Sequence, residues 1–530
     1  MHRARATRIR ARFIVGAVAL VAASAAAGCS SSSTATRPSE TIPYGQLASR
    51  PNIVFVLTDD LSENLVDYMP HVRALERRGA TFSNYFVTDS LCCPSRTSIL
   101  TGLLPHDSGV YTNTGSDGGF ATFVRHGDTA KTFAVALQHA GYRTAMMGKY
   151  LNGYVTGFRA AGRAYVPRGW DEWDVGGNAY SEFNYKLNQN RRVVRYGGTA
   201  RSYLTDVLSR LASSFIRRSS RGARPDGRNP FFLEVATYAP HAPYVFAPHD
   251  ARRFADIQAP RTPAFDENDV VGNPRWLDRP PLDAAEIAQI DRDFRWRVRA
   301  VQAIDRMVEG LEKRIEDEGL AGNTYFVFSS DNGYHMGEHR LSPGKMTAFD
   351  TDIKVPLVVV GPGIRPGMKI DALAENIDLA PTFERLAGLT PPPTVDGRSL
   401  APLFGLRPPG DWRRAVLVEH HGPDVDPQDP DFPDPGSGNP PSYEAMRLAR
   451  AVYVEYQDGE REYYDIATDP YERRNVYASL DASQRASLHD QLAALARCHG
   501  AASCSSADRL LPGSPSAPRG VPATSPARSA

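Results

Sequence analysis

The residues most able to do chemistry include a cysteine that precedes a predicted helix. The segment Cys92-Cys-Pro-Ser-Arg-Thr-Ser-Ile-Leu-Thr-Gly102 contains two adjacent cysteines, a proline and an arginine. Because proline is favoured in the first turn of a helix, Pro94 predicts that Cys92 lies just before a helix N-terminus. Backbone N–H groups at such a terminus favour an anion, and Arg96 adds a positive charge beside it. The segment therefore predicts a nucleophile facing an anionic substrate, with a buried structural thiol as the alternative.

Acidic and amide side chains follow two predicted strands. Asp59 and Asp60 come directly after one apolar run, and Asp331 and Asn332 come directly after another. Ligands of an open α/β sheet bind outside the carboxyl ends of its strands, so these side chains should meet in one crevice. Three carboxylates so close would repel one another, whereas a divalent cation turns that cost into binding. Oxygen ligands favour Ca²⁺, with Mg²⁺ as the alternative, over zinc.

Basic side chains are expected at the same edge of the sheet. Lys149 follows one apolar run, His241 follows another, and Lys345 lies in the loop after Asp331. Any one of them could be an ordinary surface charge. Four strand ends that each deliver a charged or ligating group indicate a functional site instead.

A sheet has to position these side chains. Short apolar runs recur between longer helical stretches, at 52–58, 144–148, 231–237, 324–329 and 355–360. Continuous hydrophobic strands of this kind are typical of a parallel sheet that is covered on both faces. The predicted fold class is α/β, with a large mixed, mostly parallel sheet sandwiched by helices, of which 284–318 is the clearest.

A smaller second unit is predicted after the prolines at 391–393. Strands at 415–419 and 451–456, an Asp-Gly turn and a helix at about 482–497 indicate an antiparallel sheet with a helix. The aspartates of the loop 422–441 could bind a metal. Repeated prolines keep a backbone from wrapping round an ion, which favours a solvated loop.

The N-terminus has the layout of an export signal. Five arginines within residues 1–12 precede an apolar run that ends in small residues before Cys29. This pattern predicts an exported bacterial cell-envelope lipoprotein, held on the outer face of the membrane through lipidated Cys29, or a secreted protein if Cys29 is not lipidated. The predicted parts of the chain are a lipoprotein-type signal peptide at 1–29, a flexible linker at 30–50, a catalytic domain at 51–400, a C-terminal subdomain at 411–500 and a disordered tail at 505–530.

Composition narrows the class of protein further. Lysine and arginine total 61 against 60 for aspartate and glutamate, so the chain has no global field that would attract nucleic acid. A hydrophobic share of 42% is ordinary for a folded enzyme. In an exported protein, Cys498 and Cys504 could close a small disulfide loop.

The segment 92–102 resembles the sulfatase signature, cysteine-x-Pro-x-Arg followed by Leu-Thr-Gly, and the resemblance extends over about 51–475. The motifs Gly148-Lys-Tyr-Leu-Asn152, Asp331-Asn-Gly-Tyr-His335 and Asp352-Ile-Lys-Val-Pro356 are most similar to the N-acetylglucosamine-6-sulfatase and heparan endosulfatase branch. This resemblance implies an alkaline phosphatase-like fold. It also implies hydrolysis of sulfate monoesters, on sulfated carbohydrates such as N-acetylglucosamine 6-sulfate or on aryl sulfates.

The resemblance further implies a role for each candidate residue. Cys92 would be oxidised to formylglycine, that is 3-oxoalanine, by a formylglycine-generating enzyme, and its hydrate would attack sulfur. The implied metal ligands are Asp59, Asp60, Cys92, Asp331 and Asn332. The residues implied around the sulfate are Arg96, Lys149, His241 and Lys345. Either His241 or Lys345 would protonate the departing alcohol.

One position departs from the family pattern. Many arylsulfatases have a histidine two residues after the strand-end lysine, and Leu151 stands there in this sequence. Asn152, His335 or His339 could supply the role of that histidine.

Two alternatives to a sulfatase remain at this stage. One is a phosphatase, phosphodiesterase or phosphonate hydrolase of the same superfamily, which the presence of ligands for a single metal disfavours. The other is a non-catalytic binder of sulfated glycans that keeps Cys92 unmodified.

Overall fold

The computed structural model describes residues 50–160, 162–222, 229–268, 272–405 and 409–510. In chain order, strands β1 to β18 of this part span Asn52–Thr58, Ala80–Phe82, Tyr85–Phe86, Arg143–Lys149, Arg159–Ala160, Arg163–Ala164, Glu172–Gly176, Lys186–Gln189, Arg192–Arg195, Phe231–Ala236, Thr324–Ser330, Leu357–Val360, Met368–Ile370, Ala374–Glu375, Ala415–His420, Tyr443–Leu448, Ala451–Tyr456 and Arg461–Asp465. Helices α1 to α11 span Pro70–Arg78, Cys92–Thr101, Pro105–Ser108, Gly119–Arg125, Phe133–His139, Leu204–Gly222, Ala284–Asp317, Asp350–Ile353, Leu379–Leu386, Ala482–Leu495 and Gly500–Ala507.

The main sheet has ten strands in the order β13-β2-β12-β11-β1-β10-β4-β7-β8-β9. Its centre is parallel, because β1 pairs with β10 and β11, β10 pairs with β4, and β4 pairs with β7, all in the same direction. Antiparallel pairs begin at β12 on one side and at β8 on the other. The predicted large mixed, mostly parallel sheet is therefore confirmed.

Strand β1 shows why the apolar runs are continuous. Every side chain of this strand is buried, and alternate residues point to opposite faces of the sheet. On one face, Phe55 packs against Phe383 of α9 with ring centroids 5.3 Å apart. On the other face, Val54 and Val56 belong to the apolar cluster that contains α7. A strand covered on both faces has no solvent side, so it carries no alternating polar residues.

The predicted C-terminal unit is an antiparallel sheet in the order β15-β16-β17-β18, followed by α10 and α11. On one face of this sheet, Val416 and Val418 join the same apolar cluster as the main sheet. On the other face, Leu417 packs in a cluster with side chains of α10. A disulfide with an S–S distance of 2.00 Å joins Cys498 to Cys504, which confirms that pairing.

The predicted terminal segments fall largely outside the described residues. The signal peptide at 1–29 and the linker up to residue 49 lie outside them, as does the tail from residue 511. Residues 505–507 form the end of α11. Among the described residues, no helix combines the length and apolar character needed to cross a membrane.

His106 links α3 to the C-terminal unit through hydrogen bonds. Its Nδ1 lies 2.9 Å from a carboxylate oxygen of Glu419, and its Nε2 lies 2.8 Å from the carbonyl oxygen of Cys498. Burial lowers the pKa of His106, but the hydrogen bond and the charge of Glu419 outweigh burial and raise this pKa from 6.5 to about 9. Protonated His106 therefore stabilises the folded state.

This shift predicts how the free energy of unfolding depends on pH. The contribution of His106 is complete below pH 6.5, where the unfolded state also binds the proton, and it is lost as the pH rises to about 9. Since one pKa unit corresponds to about 1.4 kcal/mol, a shift from 6.5 to about 9 gives an expected loss of at most about 3 to 4 kcal/mol. Urea unfolding on either side of this range should show the loss in wild type and not in His106→Gln. An equal loss in His106→Gln would contradict the assignment, and His139→Gln, at an exposed position, is the control.

Candidate active site

The structure brings together every residue that the sequence predicted for the site. Most of them follow parallel strands, whose carboxyl ends meet at one edge of the sheet. They are Asp59 and Asp60 after β1, Lys149 at the end of β4, His241 after β10, and Asp331 and Asn332 after β11. Helix α2 contributes Cys92 and Arg96, and the loop after β11 contributes Lys345. All of these side chains are buried.

Helix α2 presents Cys92 to the acidic side chains. The helix begins at Cys92 itself, with Pro94 in its first turn. The sequence predicted that Cys92 lies just before the helix, so the observed helix starts one residue earlier than predicted. The Sγ atom of Cys92 lies 3.2 Å from Asp59 Oδ1 and 3.0 Å from Lys345 Nζ. The thiol therefore stands between a carboxylate and an ammonium group.

The thiol of Cys92 is a poor nucleophile as it stands. Burial raises its pKa well above the ordinary value, and the negative charges of Asp431 and Asp59 raise it further. The attraction of Lys149 and Lys345 only partly offsets these effects. Because the thiolate is the reactive form of cysteine, the raised pKa disfavours attack by an unmodified Cys92.

Cys93 has a different environment. It belongs to the apolar cluster on one face of the main sheet, and its backbone N–H donates to Asn113 Oδ1 at 2.9 Å. Burial raises the pKa of its thiol to about 12. Cys93 is therefore a core residue, although it is next to Cys92 in the sequence.

Each of the three strand-end carboxylates is paired with a buried cation. The pairs are Lys149 Nζ with Asp59 Oδ2 at 2.6 Å, Lys345 Nζ with Asp60 Oδ1 at 2.7 Å, and Arg96 Nε with Asp331 Oδ2 at 2.7 Å. The repulsion expected between the carboxylates is thus already offset by basic side chains. Burial raises the pKa of Asp59, yet Lys149 and the other cations outweigh it and hold this pKa well below the usual range. For Asp331, burial prevails over Arg96 and raises the pKa to about 6.

Part of the predicted ligand set, together with His241, lies close enough to hold one divalent cation. One donor atom from each of Asp59, Asp60, Cys92 and His241 lies within 4.8 Å of the others, and Asp331 is not in this group. The amide oxygen of Asn332 is buried without a hydrogen-bond partner, while its Nδ2 donates to Asp60 Oδ1 at 2.7 Å. A buried amide oxygen left unpaired beside carboxylates is the ligand type that Ca²⁺ and Mg²⁺ bind.

Asp431 is a site residue that the sequence did not assign. It lies in the loop between β15 and β16, and its Oδ1 is 2.5 Å from His241 Nε2 and 2.7 Å from Lys345 Nζ. The prediction of a solvated loop at 422–441 is therefore wrong for Asp431 and for Asp429, which are 8% and 6% exposed. The density of aspartates in the loop was the only signal available, and it does not tell which of them contacts the site.

The structure also bears on the missing family histidine. Leu151 is buried in the apolar core. His335 uses both ring nitrogens, on the carboxylate of Asp352 and on a backbone carbonyl, and His339 Nδ1 contacts Glu267. The contact with Cys92 Sγ is made instead by Lys345.

A cavity of about 260 Å³ opens beside these groups. Charged residues of the site, aromatic residues and residues of the β15–β16 loop line it. Among them are Asp60, His241, Lys345, Asp431, Tyr244 and Tyr334. A cavity lined by acidic, basic and aromatic side chains can hold a small polar molecule.

Comparison with known proteins gives the same picture over most of the chain. The family model described as Sulfatase matches residues 51–389, and the model described as N-sulphoglucosamine sulphohydrolase, C-terminal, matches residues 337–497. The chain is 34% identical to an N-acetylglucosamine-6-sulfatase of Homo sapiens over 479 residues, which cover 85% of each protein. It is 33% identical to an extracellular sulfatase SULF-1 homologue of Drosophila melanogaster over 386 residues, 70% of this chain and 33% of that protein.

A solved structure has a similar fold. It is a protein in complex with its substrate D-glucosamine-2-N,6-O-disulfate, with a TM-score of 0.67 and 23% identity. The match covers 84% of this chain and 97% of that chain. This likeness supports the α/β fold with its small C-terminal antiparallel sheet.

The lipoprotein localisation predicted from the N-terminus is wrong. The sequence predicted an exported bacterial cell-envelope lipoprotein anchored through Cys29, whereas the relatives described above are animal proteins from Homo sapiens and Drosophila melanogaster. Cys29 lies outside the described residues. An arginine-rich start followed by an apolar run is shared by many export signals, so this pattern alone does not specify lipidation.

Proposed function

The chain belongs to the sulfatase family and is therefore an enzyme that hydrolyses sulfate esters, and we propose that its substrate is a sulfated sugar. We further propose that the nucleophile is a formylglycine made from Cys92 and that the site binds a calcium ion. One observation carries this proposal. Cys92 lies at the start of a helix, in contact with Asp59 and Lys345, at the edge where the strand-end ligands meet.

The state of the Cys92 thiol supports its conversion to formylglycine. Burial and the neighbouring carboxylates raise the pKa of the thiol, which favours a different functional group for the attack on sulfur. A hydrated formylglycine supplies an attacking hydroxyl and the second hydroxyl needed to release sulfate. A formylglycine-generating enzyme would read Pro94 and Arg96, which stand at the offsets of the family signature.

The ligand set supports calcium, with magnesium as the alternative. The residues that would hold the ion are Asp59, Asp60, residue 92, Asp331 and Asn332. When bound, such an ion acts as a Lewis acid on a sulfuryl oxygen. The buried amide oxygen of Asn332 accepts no hydrogen bond from the described residues, so it is available to bind the ion.

The basic side chains would bind the sulfate and assist departure of the alcohol. Arg96, Lys149 and Lys345 surround Cys92 with positive charge, which stabilises the negative charge that develops on the sulfuryl oxygens. His241 and Lys345 are the basic residues in the lining of the cavity, so one of them would protonate the oxygen of the departing alcohol. Without that proton, an alkoxide would have to leave.

The substrate class follows from the cavity and from the relatives. The proposed substrate is a sugar sulfate such as N-acetylglucosamine 6-sulfate, because the human relative is named for that activity and aromatic side chains are among the residues that line the cavity. A panel of sugar sulfates and one aryl sulfate tests this, with released sulfate measured by ion chromatography. N-acetylglucosamine 6-sulfate should give the highest kcat/KM among the sugars. Release of sulfate from none of the panel would overturn the proposal.

Calcium should stabilise the folded protein through the same ligands. We expect added Ca²⁺ to raise the melting temperature of metal-stripped protein, by a shift equivalent to about 2.7 kcal/mol at one hundred times the Kd. Asp331→Ala should lose most of this shift because it removes a ligand, while Asp371→Ala, at an exposed aspartate, should keep it. Calcium titrations followed by differential scanning fluorimetry make the comparison. Matching curves for wild type and Asp331→Ala would mean that Asp331 does not bind the ion.

A further inference from the structure

Asp431 connects parts of the site that are far apart in the chain. Its Oδ1 accepts hydrogen bonds from His241 Nε2 and from Lys345 Nζ, at 2.5 and 2.7 Å. Its Oδ2 accepts from Asn113 Nδ2 at 2.6 Å and from Asn152 Nδ2 at 3.4 Å. Both carboxylate oxygens thus accept hydrogen bonds: Oδ1 from His241 and Lys345, and Oδ2 from the two asparagines.

The connection extends to the start of α2. Asn113, which donates to Asp431, also accepts a hydrogen bond from the backbone N–H of Cys93 through its Oδ1, at 2.9 Å. A short chain of hydrogen bonds therefore runs from His241 and Lys345 through Asp431 to the residue after Cys92. Such a chain fixes the donors relative to the nucleophile, which is the geometry that catalysis depends on.

The loop that carries Asp431 has its own internal supports. The side chains of Asp424, Asp426 and Asp429 each accept the backbone N–H two residues further along, which are Asx turns. Asp429 also accepts from Asn113 Nδ2 at 3.2 Å. These hydrogen bonds within the loop and to Asn113 therefore fix the position of Asp431.

Two positive groups aimed at one point need a negative group between them. His241 Nε2 and Lys345 Nζ share Asp431 Oδ1, and without that carboxylate the two donors would repel each other. His241 Nε2 also lies 3.7 Å from Asp60 Oδ2, and Lys345 Nζ lies 2.7 Å from Asp60 Oδ1, so each of the two donors has a second acidic neighbour. Asp431 is the acceptor that both donors share: His241 Nε2 is nearer to Asp431 than to Asp60, and Lys345 Nζ contacts both carboxylates at the same distance.

We propose that Asp431 is a positioning residue that holds His241 Nε2 and Lys345 Nζ toward the oxygen of the departing alcohol. In that step the bond between sulfur and the alcohol oxygen breaks, and this oxygen takes a proton from His241 or Lys345, which solvent later returns. The proposal rests on the proposed function. It goes beyond it because the hydrogen bonds of the Asp431 side chain go to His241, Lys345, Asn113 and Asn152, and it is not itself one of the proposed metal ligands.

Leaving groups of different basicity test this role. A sugar 6-sulfate releases a basic primary alkoxide and needs the proton, whereas 4-nitrophenyl sulfate releases a stable phenolate and does not. In Asp431→Ala, kcat for the sugar sulfate should fall by about 10²- to 10³-fold, and kcat for 4-nitrophenyl sulfate by less than about 10-fold. Asp431→Asn, which keeps the shape, should show the same split with smaller losses. Asp426→Asn, at a half-buried position of the same loop where the asparagine oxygen can still accept the backbone N–H of Gln428, is the matched control and should behave as wild type.

The outcomes separate this inference from its alternatives. Equal losses of kcat on both substrates would overturn it, because a merely structural role affects every substrate alike. A rise in KM with unchanged kcat would also overturn it, since that result means that Asp431 binds the sugar, and a gain of activity would mean that it blocks the site. Mass spectrometry of the peptide with residue 92 and circular dichroism should match wild type in both variants. If wild type released sulfate from neither substrate, the proposed function itself would fail, and this inference with it.

Discussion

Cys92→Ala is expected to lower the rate of sulfate release by at least about 10⁴-fold, the scale of loss when a nucleophile is removed. Its Sγ is the cysteine atom in contact with Asp59 and Lys345, at 3.2 and 3.0 Å. Cys93→Ala should cost less than about 10-fold, because Cys93 packs in the apolar core and supplies the site only through its backbone N–H. The pair of variants therefore separates two adjacent cysteines by their surroundings.

The measurement is released sulfate under saturating substrate, with circular dichroism to verify the fold of both variants. Mass spectrometry of the tryptic peptide should find formylglycine at residue 92 in wild type and in Cys93→Ala. Equal loss of activity in two folded variants would contradict the assignment of Cys92. A complete thiol at residue 92 in an active wild-type enzyme would contradict formylglycine as the nucleophile.

Lys149→Ala is expected to lower kcat by about 10²- to 10³-fold, the effect of removing one preorganised group that stabilises transition-state charge. Lys149 Nζ lies 2.6 Å from Asp59 Oδ2 and 5.0 Å from the ring centroid of Tyr180. The side chain is buried between these groups, so neither water nor a neighbouring lysine can replace its charge without rearrangement.

A calcium titration distinguishes lost charge from a damaged site. Removal of Lys149 takes away a positive charge beside Asp59, so calcium should bind Lys149→Ala at least as tightly as it binds wild type. Lys131→Ala is the control, because Lys131 is half exposed and its partner, the buried Asp128, is not a residue of the site. Activity of Lys149→Ala within about 10-fold of wild type would show that Lys149 does not act on the sulfate. Weakened calcium binding would show that the variant has disturbed the ligands.

Much of the site could be predicted because local signals and one rule of topology are sufficient for it. Asp59, Lys149, His241 and Asp331 each follow an apolar run that reads as a buried strand. Parallel strands have their carboxyl ends at one edge of a sheet, so residues that follow them are brought together whatever the loops do. Pro94 similarly predicts a helix start near Cys92 from the fixed φ of proline alone. The main sheet was predictable for the same reason, since fully buried strands need no polar alternation.

Other features depended on how distant parts of the chain pack. The loop that contains Asp431 has turn and proline signals that are equally compatible with a solvated segment, and only the packing of the C-terminal sheet brings it to His241. The pairing of each carboxylate with its own cation is also a matter of distances, which spacing along the chain does not contain. The sequence by itself thus determined the strands, the helix start and the chemistry available at one edge of the sheet. Only the tertiary structure decided which cation neutralises which carboxylate, and that Asp431 contacts both His241 and Lys345. Such contacts join residues that are far apart in the chain or that lie in irregular loops. No backbone periodicity relates these residues to one another.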